Sequence, residues 1–223
     1  MKALICFAVA QEKQYFHVRE SVHALVTGMG ASAAGCNLAR LLEVHHPRLI
    51  VAAGFAGGLN PELKLGQMIL DDSDLSGHGL NLSGPEALFH GKIHSASKVL
   101  VTPLEKASLR RESNADAVDM ESAAVRSVAK KRGIPMVALR VITDPYDEAL
   151  PLDFNQFMNT AGSMRYGRFA CHLLRKPITV LRLIQFQKKL NYAAQRLGAT
   201  LNLLLDTPGE KHNDPTSVSG GPC

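Results

Sequence analysis

Short apolar runs separated by polar segments recur along this chain of 223 residues. Runs of this length that are rich in β-branched residues predict buried strands, and they lie at residues 3–10, 22–27, 49–53, 68–70 and 136–142. Apolar positions at three- and four-residue spacing predict helices at residues 31–44, 122–132 and 154–174. Residues 71–97 show little periodicity and predict a loop with short strands. Strands that alternate with helices predict an α/β fold.

Acidic residues stand at both ends of a helix–strand unit within residues 118–144. Glu121 precedes the predicted helix, and Asp144 follows the predicted strand. Ligands of open α/β sheets bind beyond the carboxyl ends of the strands, so these two carboxylates are candidates for one cleft. In the alternative interpretation, Asp119 and Glu121 complement the helix dipole and Asp144 caps the turn before Pro145. Spacing alone leaves both interpretations open.

The segment from Gly28 to Ala33 follows a predicted strand and opens a helix, which fits the G-x-G-x-x-A pattern of dinucleotide sites. Such a site also needs an acidic residue at the end of the next strand, and here that strand ends in Ala53-Gly54-Phe55. A nicotinamide cofactor is therefore disfavoured. Two alternatives remain for the glycines: backbone N–H groups that bind an anion or the nucleophile, or a tight turn that packs the helix closely on the sheet.

Composition is compatible with one domain that buries a single core, since 46% of the residues are hydrophobic. The four cysteines show no metal or disulfide spacing, which favours a reducing, cytoplasmic compartment. The first ten residues weakly imitate a signal peptide, but a buried first strand explains them better. No apolar stretch approaches the roughly 20 residues of a membrane-spanning helix.

Four segments together resemble one known family. They are residues 8–12 (AVAQE), 54–66 (GFAGGLNPELKLG), 118–124 (VDMESAA) and 140–144 (RVITD). In this order they look like the purine nucleoside phosphorylase and nucleosidase superfamily, and they are most similar to the 5′-methylthioadenosine/S-adenosylhomocysteine nucleosidases. The resemblance implies a three-layer αβα sandwich around a central mixed, twisted sheet, with residues 1–174 as the catalytic domain. It also implies an enzyme that uses no metal and no organic cofactor.

The resemblance implies cleavage of the N-glycosidic bond of an adenosine-type nucleoside, through a transition state like a ribosyl cation. By analogy with the family, Glu12 is the general base on water, Glu121 holds the ribose hydroxyls, and Asp144 delivers a proton to the purine N7. Other implied participants are Arg140, which helps to position the nucleophile, and the substrate-binding residues Met120, Asp119, Phe55, Ala56, Gly57, Gly28 and Gly30. Without the resemblance, Glu12 fits a solvated loop charge, and Arg140 fits a partner for a buried carboxylate.

Several positions depart from the family pattern and bear on the nucleophile. Phe55 stands where the nucleosidases usually carry Ser or Thr, which removes a hydroxyl that orients water, and Asp119 replaces the more usual Glu. Hexameric phosphorylases place arginines after the Gly-Met-Gly turn and near the position of Gly66, where this chain has Ala31, Ser32 and Gly66. A phosphate dianion needs fixed positive partners, so their absence favours hydrolysis over phosphorolysis.

Residues 175–205 contain six basic residues and no acidic one. Arg175, Arg182, Lys189 and Arg196 recur every seven residues, and apolar residues follow at helical spacing, so one helix face is basic and another is apolar. Such a helix suits an anionic membrane surface, and it equally suits packing on the core or across a dimer. Gly198 is expected to interrupt the helix, and residues 207–223 have the composition of a disordered tail.

This C-terminal helical extension, residues 175–206, resembles that of the hopanoid-associated phosphorylase subgroup, which is implicated in removing adenine from adenosylhopane, a nucleoside joined to a triterpenoid. The short segment 71–97 would leave the site more open, as so large a substrate requires. We therefore expect a small-molecule nucleoside substrate, resembling methylthioadenosine or adenosylhomocysteine or else linked to a lipid. We also expect a homodimer with peripheral membrane contact through residues 175–205.

Two alternatives to hydrolysis are retained. The close one is phosphorolysis of the same bond. The one of another class is a non-catalytic nucleoside- or lipid-binding protein that docks on membranes. Nucleic acid is not an expected partner, because aromatic residues make up only 5% of the chain and no motif for reading bases appears.

Overall fold

The computed structural model describes residues 2–75, 88–157 and 177–206, together with Arg165 and Phe169. Its strands are β1 (Ala3–Phe7), β2 (Val22–Val26), β3 (Leu49–Gly58), β4 (Met68–Asp71), β5 (Leu88–His90), β6 (Ile93–Ser95), β7 (Ala117–Asp119) and β8 (Met136–Asp144). Its α-helices are α1 (Ala10–Lys13), α2 (Ala31–Leu41), α3 (Pro103–Ser113), α4 (Ser122–Lys131) and α5 (Pro177–Asp206), and 3-10 turns lie at Ser73–Leu75 and Phe154–Phe157.

The described strands form one mixed sheet in the order β2-β1-β3-β8-β4-β5, with β7 beside β3 and β6 beside β7. The central strand β8 is parallel to β3 and antiparallel to β4. All of its residues are buried, because the sheet is covered on both faces, and this explains the nearly continuous apolar run from Met136 to Ile142. The predicted α/β fold with a mixed central sheet is confirmed.

Helices cover both faces of the sheet and make it the middle layer of three. On one face, α2 and α4 pack through Ala34, Leu38, Val125 and Ala129 against strand residues such as Ile50. On the other face, α5 packs through the residues Ala193, Leu197 and Leu201. Each helix presents its apolar stripe to the sheet, as the three-four spacing of these residues requires.

Several boundaries differ from those predicted. The first strand ends at Phe7 rather than at residue 10, because the chain turns there into the short helix α1. Strand β3 continues five residues beyond residue 53, since its glycine-rich end keeps pairing with β8. Of the helix predicted at residues 154–174, the structure shows a 3-10 turn at Phe154–Phe157; most of the remainder lies outside the described residues.

Helix α3 and strand β7 were not predicted from the apolar pattern. Helix α3 begins at a capping box, in which the Thr102 hydroxyl accepts from the Glu105 N–H and the Glu105 carboxylate accepts from the Thr102 N–H, and Pro103 occupies its first turn. It ends at Asn114, which adopts the left-handed conformation. Its surface is mostly polar, so local capping rather than hydrophobic periodicity marks this helix.

Helix α5 runs unbroken through Gly198, so the expectation that this glycine interrupts the helix was wrong. A Cβ atom at Gly198 would lie 2.5 Å from the carbonyl oxygen of Tyr15. The glycine therefore permits close contact between α5 and the segment after α1. In the described part of the chain, no helix is long and apolar enough to cross a membrane. The predicted disordered tail, residues 207–223, lies outside the described residues.

Candidate active site

A cavity of about 460 Å³ opens beside the carboxyl ends of the parallel strands β1, β3 and β8. Most of the site residues predicted from the sequence line it, namely Glu12, Phe55, Ala56, Gly57, Asp119, Met120, Glu121 and Asp144. The remaining three, Arg140, Gly28 and Gly30, do not line it; Arg140 and Gly30 bind residues that do. Residues that are distant in sequence therefore meet where the strand ends predict a ligand cleft.

Glu12 is buried in α1, with 3% of its surface exposed. One carboxylate oxygen accepts hydrogen bonds from the N–H groups of Ala8 and Val9 at 2.7 and 3.1 Å, and the other accepts from the Phe55 N–H at 2.8 Å. Burial raises the pKa of Glu12 to about 7, against the opposing effects of Arg140 and of the backbone N–H donors. This geometry excludes the solvated loop charge and describes a carboxyl group that can gain or lose a proton near neutral pH.

Arg140 and Asp119 form a buried ion pair, with Nη2 of the arginine 2.5 Å from Oδ2 of the aspartate. Asp119 also accepts hydrogen bonds from the hydroxyls of Ser95 and Ser122 at 2.6 and 2.9 Å, and the Ser122 N–H at the start of α4 donates to it. Arg140 thus satisfies a buried carboxylate, as the alternative interpretation held. Asp119 likewise supports the amino terminus of α4.

Gly54 allows the charged groups to approach the backbone of β3. A Cβ atom at this position would overlap the Arg140 guanidinium and lie 2.5 Å from Oε1 of Glu12. Arg140 and Glu12 therefore lie against the same glycine. No side chain larger than hydrogen fits there unless one of these two buried groups moves.

Glu121 is the residue immediately before α4, and its carboxylate reaches across to the Gly28–Gly30 turn. The Gly30 N–H donates to Oε1 of Glu121 at 2.7 Å. Burial raises the pKa of Glu121, while Arg140 and the Gly30 N–H lower it. Gly28 and Gly30 have φ angles of 89° and 84°, so both positions of the turn favour glycine. The N–H group of Gly30 is already bonded to the Glu121 carboxylate.

Asp144 ends β8 and is bound through both carboxylate oxygens. Oδ1 lies 2.7 Å from the Thr143 hydroxyl, and Oδ2 lies 2.7 Å from the ammonium group of Lys106 on α3. Burial raises the pKa of Asp144, although Lys106 and the Thr143 hydroxyl lower it. Asp144 therefore does not serve as a simple turn cap. It is a buried acid with a cation beside it.

The rest of the cavity wall is largely apolar. Besides Phe55 and Met120, its larger apolar residues are Val9, Met29, Val99, Leu100, Val118, Leu150, Phe154, Phe186 and Leu190, and the polar side chains of Gln11, Lys98 and Thr143 also line it. Phe154 and Phe186 contact each other with ring centroids 6.2 Å apart. Because Phe186 and Leu190 belong to α5, the C-terminal helix contributes directly to the pocket.

Sequence reasoning missed Lys106, Thr143 and the wall residues from α5. The capping box at Thr102 was a signal for helix α3, but no local pattern marks Lys106 within it. The aromatic and aliphatic residues of α5 were recognised as one helix face, and only the packing of that helix reveals that part of the face lines the cavity. No group of three or more His, Cys, Asp or Glu side chains that could hold a metal occurs among the described residues.

Buried carboxyl groups with raised pKa values lie in an apolar cleft at the strand ends of an αβα sandwich, as in the ligand sites of α/β enzymes. The chain belongs to the phosphorylase superfamily, whose sequence model matches residues 10–82 and 73–176. It is accordingly an enzyme of that superfamily.

Solved structures with the same fold cover 92% of this chain. A mutant futalosine hydrolase of Helicobacter pylori strain 26695 is 18% identical, with a TM-score of 0.63 and 98% of its own chain matched. The 5′-methylthioadenosine/S-adenosylhomocysteine nucleosidase of Campylobacter jejuni is 17% identical, with a TM-score of 0.62 and 98% matched. The corresponding nucleosidase of S. pneumoniae, solved with a transition-state inhibitor, is 15% identical, with a TM-score of 0.63 and 98% matched.

Proposed function

We propose that this enzyme hydrolyses the N-glycosidic bond of an adenosine-type nucleoside and releases adenine. Glu12 takes a proton from the attacking water. Its raised pKa, about 7, suits a base that must exchange protons near neutral pH. Arg140 lies beside Glu12 at Gly54 and helps to orient the water and the base.

In this proposal, Glu121 and Met120 hold the sugar. Both residues line the cavity, and Glu121 brings a carboxylate for the ribose hydroxyls and for the positive charge that develops on the ring. Asp144 protonates the purine at N7 as the bond breaks. The burial that raises the pKa of Asp144 favours the protonated form that such a donor needs.

The contact between Gly30 and Glu121 is the observation that favours water over phosphate. A phosphate bound at the Gly28–Gly30 turn needs free N–H donors and cations. Here the Gly30 N–H donates to a carboxylate, which would repel a dianion, and Arg140 is paired with Asp119. A dianion would therefore meet negative charge at this turn.

An adenine-release assay tests this proposal. Purified protein is incubated with 5′-methylthioadenosine, S-adenosylhomocysteine or an adenosyl lipid such as adenosylhopane, with and without inorganic phosphate. We expect equal adenine release in both conditions, with a free reducing sugar as the second product. Release that depends strictly on phosphate would show phosphorolysis, and no release from any substrate would leave the non-catalytic binding protein as the better description.

We further propose that the nucleoside substrate is linked to a lipid. The surface of α5 supports this proposal. The first half of this helix exposes Ile178, Leu181 and Ile184, which are 62, 58 and 50% exposed. Arg182 is exposed among them, and Phe186 of the same helix lines the cavity. Helix α5 therefore contributes both to the cavity wall and to an exposed surface that is apolar and carries a basic residue.

Vesicle sedimentation tests the membrane contact. We expect the full chain to bind vesicles that contain phosphatidylglycerol more strongly than vesicles of phosphatidylcholine alone, and added salt should weaken the binding. Leu181→Ser with Ile184→Ser should weaken it, whereas Val44→Ser, at an exposed apolar residue of another segment, should not. Equal sedimentation of all variants would exclude this surface. Light scattering on the purified protein, without vesicles, tests the expected homodimer.

A further inference from the structure

Lys106 is a fully buried lysine directly behind the active site. Its ammonium group lies 2.7 Å from Oδ2 of Asp144, and it donates to the carbonyl oxygens of Asp144, Pro145 and Glu148 at 3.1, 2.7 and 2.9 Å. A buried cation is unfavourable unless it is paired and hydrogen-bonded, and this one has both kinds of partner. All of these partners belong to Asp144 or to the segment that follows it.

Two sets of hydrogen bonds hold the start of helix α3, which carries Lys106. The capping box at Thr102 and Glu105 anchors the start of the helix one turn before Lys106. The Leu150 N–H donates to the carbonyl oxygen of Val101 at 2.9 Å, which ties the far end of the segment 145–150 to the same helix start. Leu150 itself lines the cavity, so α3 and Lys106 together hold one wall of the site.

The two oxygens of Asp144 have different partners. Thr143 has one hydroxyl proton and two acceptors in range, Oδ1 of Asp144 at 2.7 Å and the Ala56 carbonyl oxygen at 3.3 Å. When Asp144 carries a proton on Oδ1, it can donate to Thr143 while Thr143 donates to Ala56. Oδ2 faces the Lys106 ammonium, which has only donors. The proton of Asp144 therefore belongs on Oδ1.

The other charged groups near Asp144 do not replace Lys106. Glu148 adds negative charge that raises the pKa of Asp144, and its own side chain pairs with Lys189 of α5. Among the described residues, Lys106 is the cation that contacts the Asp144 carboxylate. Its removal would leave that carboxyl group buried with the Thr143 hydroxyl and without a countercharge.

We propose that Lys106 is a positioning residue for protonation of the leaving base: it holds Oδ2 of Asp144 and the segment 145–148, and thereby directs the transferable proton to Oδ1. This inference rests on the proposed function of Asp144 as the proton donor. In a purely structural role, Lys106 would only join α3 to the end of β8.

The test assays the Lys106→Met variant with two substrates. Methionine is one atom shorter than lysine and removes the charge. With 5′-methylthioadenosine we expect kcat to fall about 10- to 100-fold, a part of the contribution of a general acid, with a smaller change in KM. The alkaline limb of the pH profile should move to higher pH, because Asp144 loses the cation that lowers its pKa. With 4-nitrophenyl 5-methylthio-β-D-ribofuranoside, whose nitrophenolate departs without a proton, activity should change less than about threefold.

Lys131→Met, at an exposed lysine of α4, is the matched control and should behave as the wild type does with both substrates. If the methionine variant does not fold, Lys106→Gln takes its place. Glutamine keeps N–H donors for the carbonyl oxygens but carries no charge, and the same results are expected. Equal losses with both substrates, or an unmoved alkaline limb, would overturn the inference and leave the proposed function intact. A wild-type enzyme that releases adenine from none of the three nucleosides would remove the proposed function, and the inference with it.

Discussion

Arg140 and Asp119 join the central strand β8 to the short strand β7 through an ion pair whose side chains are 2 and 0% exposed. The same arginine lies against Gly54 beside Glu12, and the same aspartate accepts from the start of α4. One buried ion pair therefore lies beside Glu12 and joins the end of β7 and the start of α4 to the central strand β8. Loss of this ion pair should lower both the free energy of unfolding and the enzymatic activity.

Asp119→Asn should destabilise the protein by about 3 kcal/mol or more, because it leaves the Arg140 charge buried without this partner. Chemical unfolding followed by circular dichroism measures the free energy of unfolding. Asp72→Asn is the control, since Asp72 pairs with His90 at the surface and its loss should cost less than about 0.5 kcal/mol. A loss below about 1 kcal/mol for Asp119→Asn would show that Arg140 is adequately compensated by Glu12 and Glu121.

Asp144→Asn should reduce kcat for adenine release by about 10²- to 10⁴-fold with only a modest loss of binding, because the amide cannot protonate N7. Steady-state kinetics and titration with a substrate analogue separate the two effects. Asp147→Asn, at an exposed residue three positions later, should retain normal activity. Near-normal turnover by the Asp144 variant would remove this residue from the mechanism.

The pH dependence of kcat/KM should report Glu12. A general base must be ionised, and burial raises the pKa of Glu12 to about 7, so kcat/KM should fall as the pH drops below about 7. Circular dichroism across the same range shows whether the enzyme stays folded. An acid limb near the ordinary pKa of a glutamate would indicate that another group, or a more solvated Glu12, is the base.

The free energy of unfolding should change with pH in the direction opposite to that of kcat/KM. The pKa of Glu12 rises from 4.5 to about 7 on folding, so the folded state binds more protons in this window and the free energy of unfolding falls as the pH rises through it. The full shift corresponds to about 3 kcal/mol. Glu12→Gln should reduce the slope between pH 4.5 and about 7. An identical slope in the variant would assign the dependence to other groups, such as Glu121 and Asp144.

Gly198→Ala should destabilise the protein although alanine favours helices. A Cβ atom there would lie 2.5 Å from the Tyr15 carbonyl oxygen, so α5 must move away from the segment that follows α1, at a cost of about 1–3 kcal/mol. Gly35→Ala is the control, because a Cβ atom at this α2 position meets its neighbours at 3.9 Å or more and should add about 0.5–1 kcal/mol of stability. A stabilised Gly198→Ala variant would show that the contact relaxes freely.

Local chemistry predicted the central strands of the sheet and made Asp144 and Glu121 candidates for one cleft, whereas the family resemblance supplied the other predicted residues of the cavity lining. The apolar run of β8 shows in the sequence that it is buried on both faces, and an acid directly after such a strand lies at the ligand edge whatever the details of packing. Residues near them in the chain therefore made Asp144 and Glu121 candidates, and the family resemblance decided between a site and a helix-dipole or turn-capping role. Helix α3 was missed because its polar surface carries no hydrophobic period.

The sequence by itself determined the α/β alternation, the strand ends and the acids that stand there, because these depend on neighbours within a few residues. Only the tertiary structure decided that Glu12 is buried, that Arg140 pairs with Asp119, that Lys106 holds Asp144 and that Phe186 of α5 faces the cavity. Each of these contacts joins residues far apart in the chain. Their partners are chosen by packing and by the need to compensate buried charge, which no local pattern records.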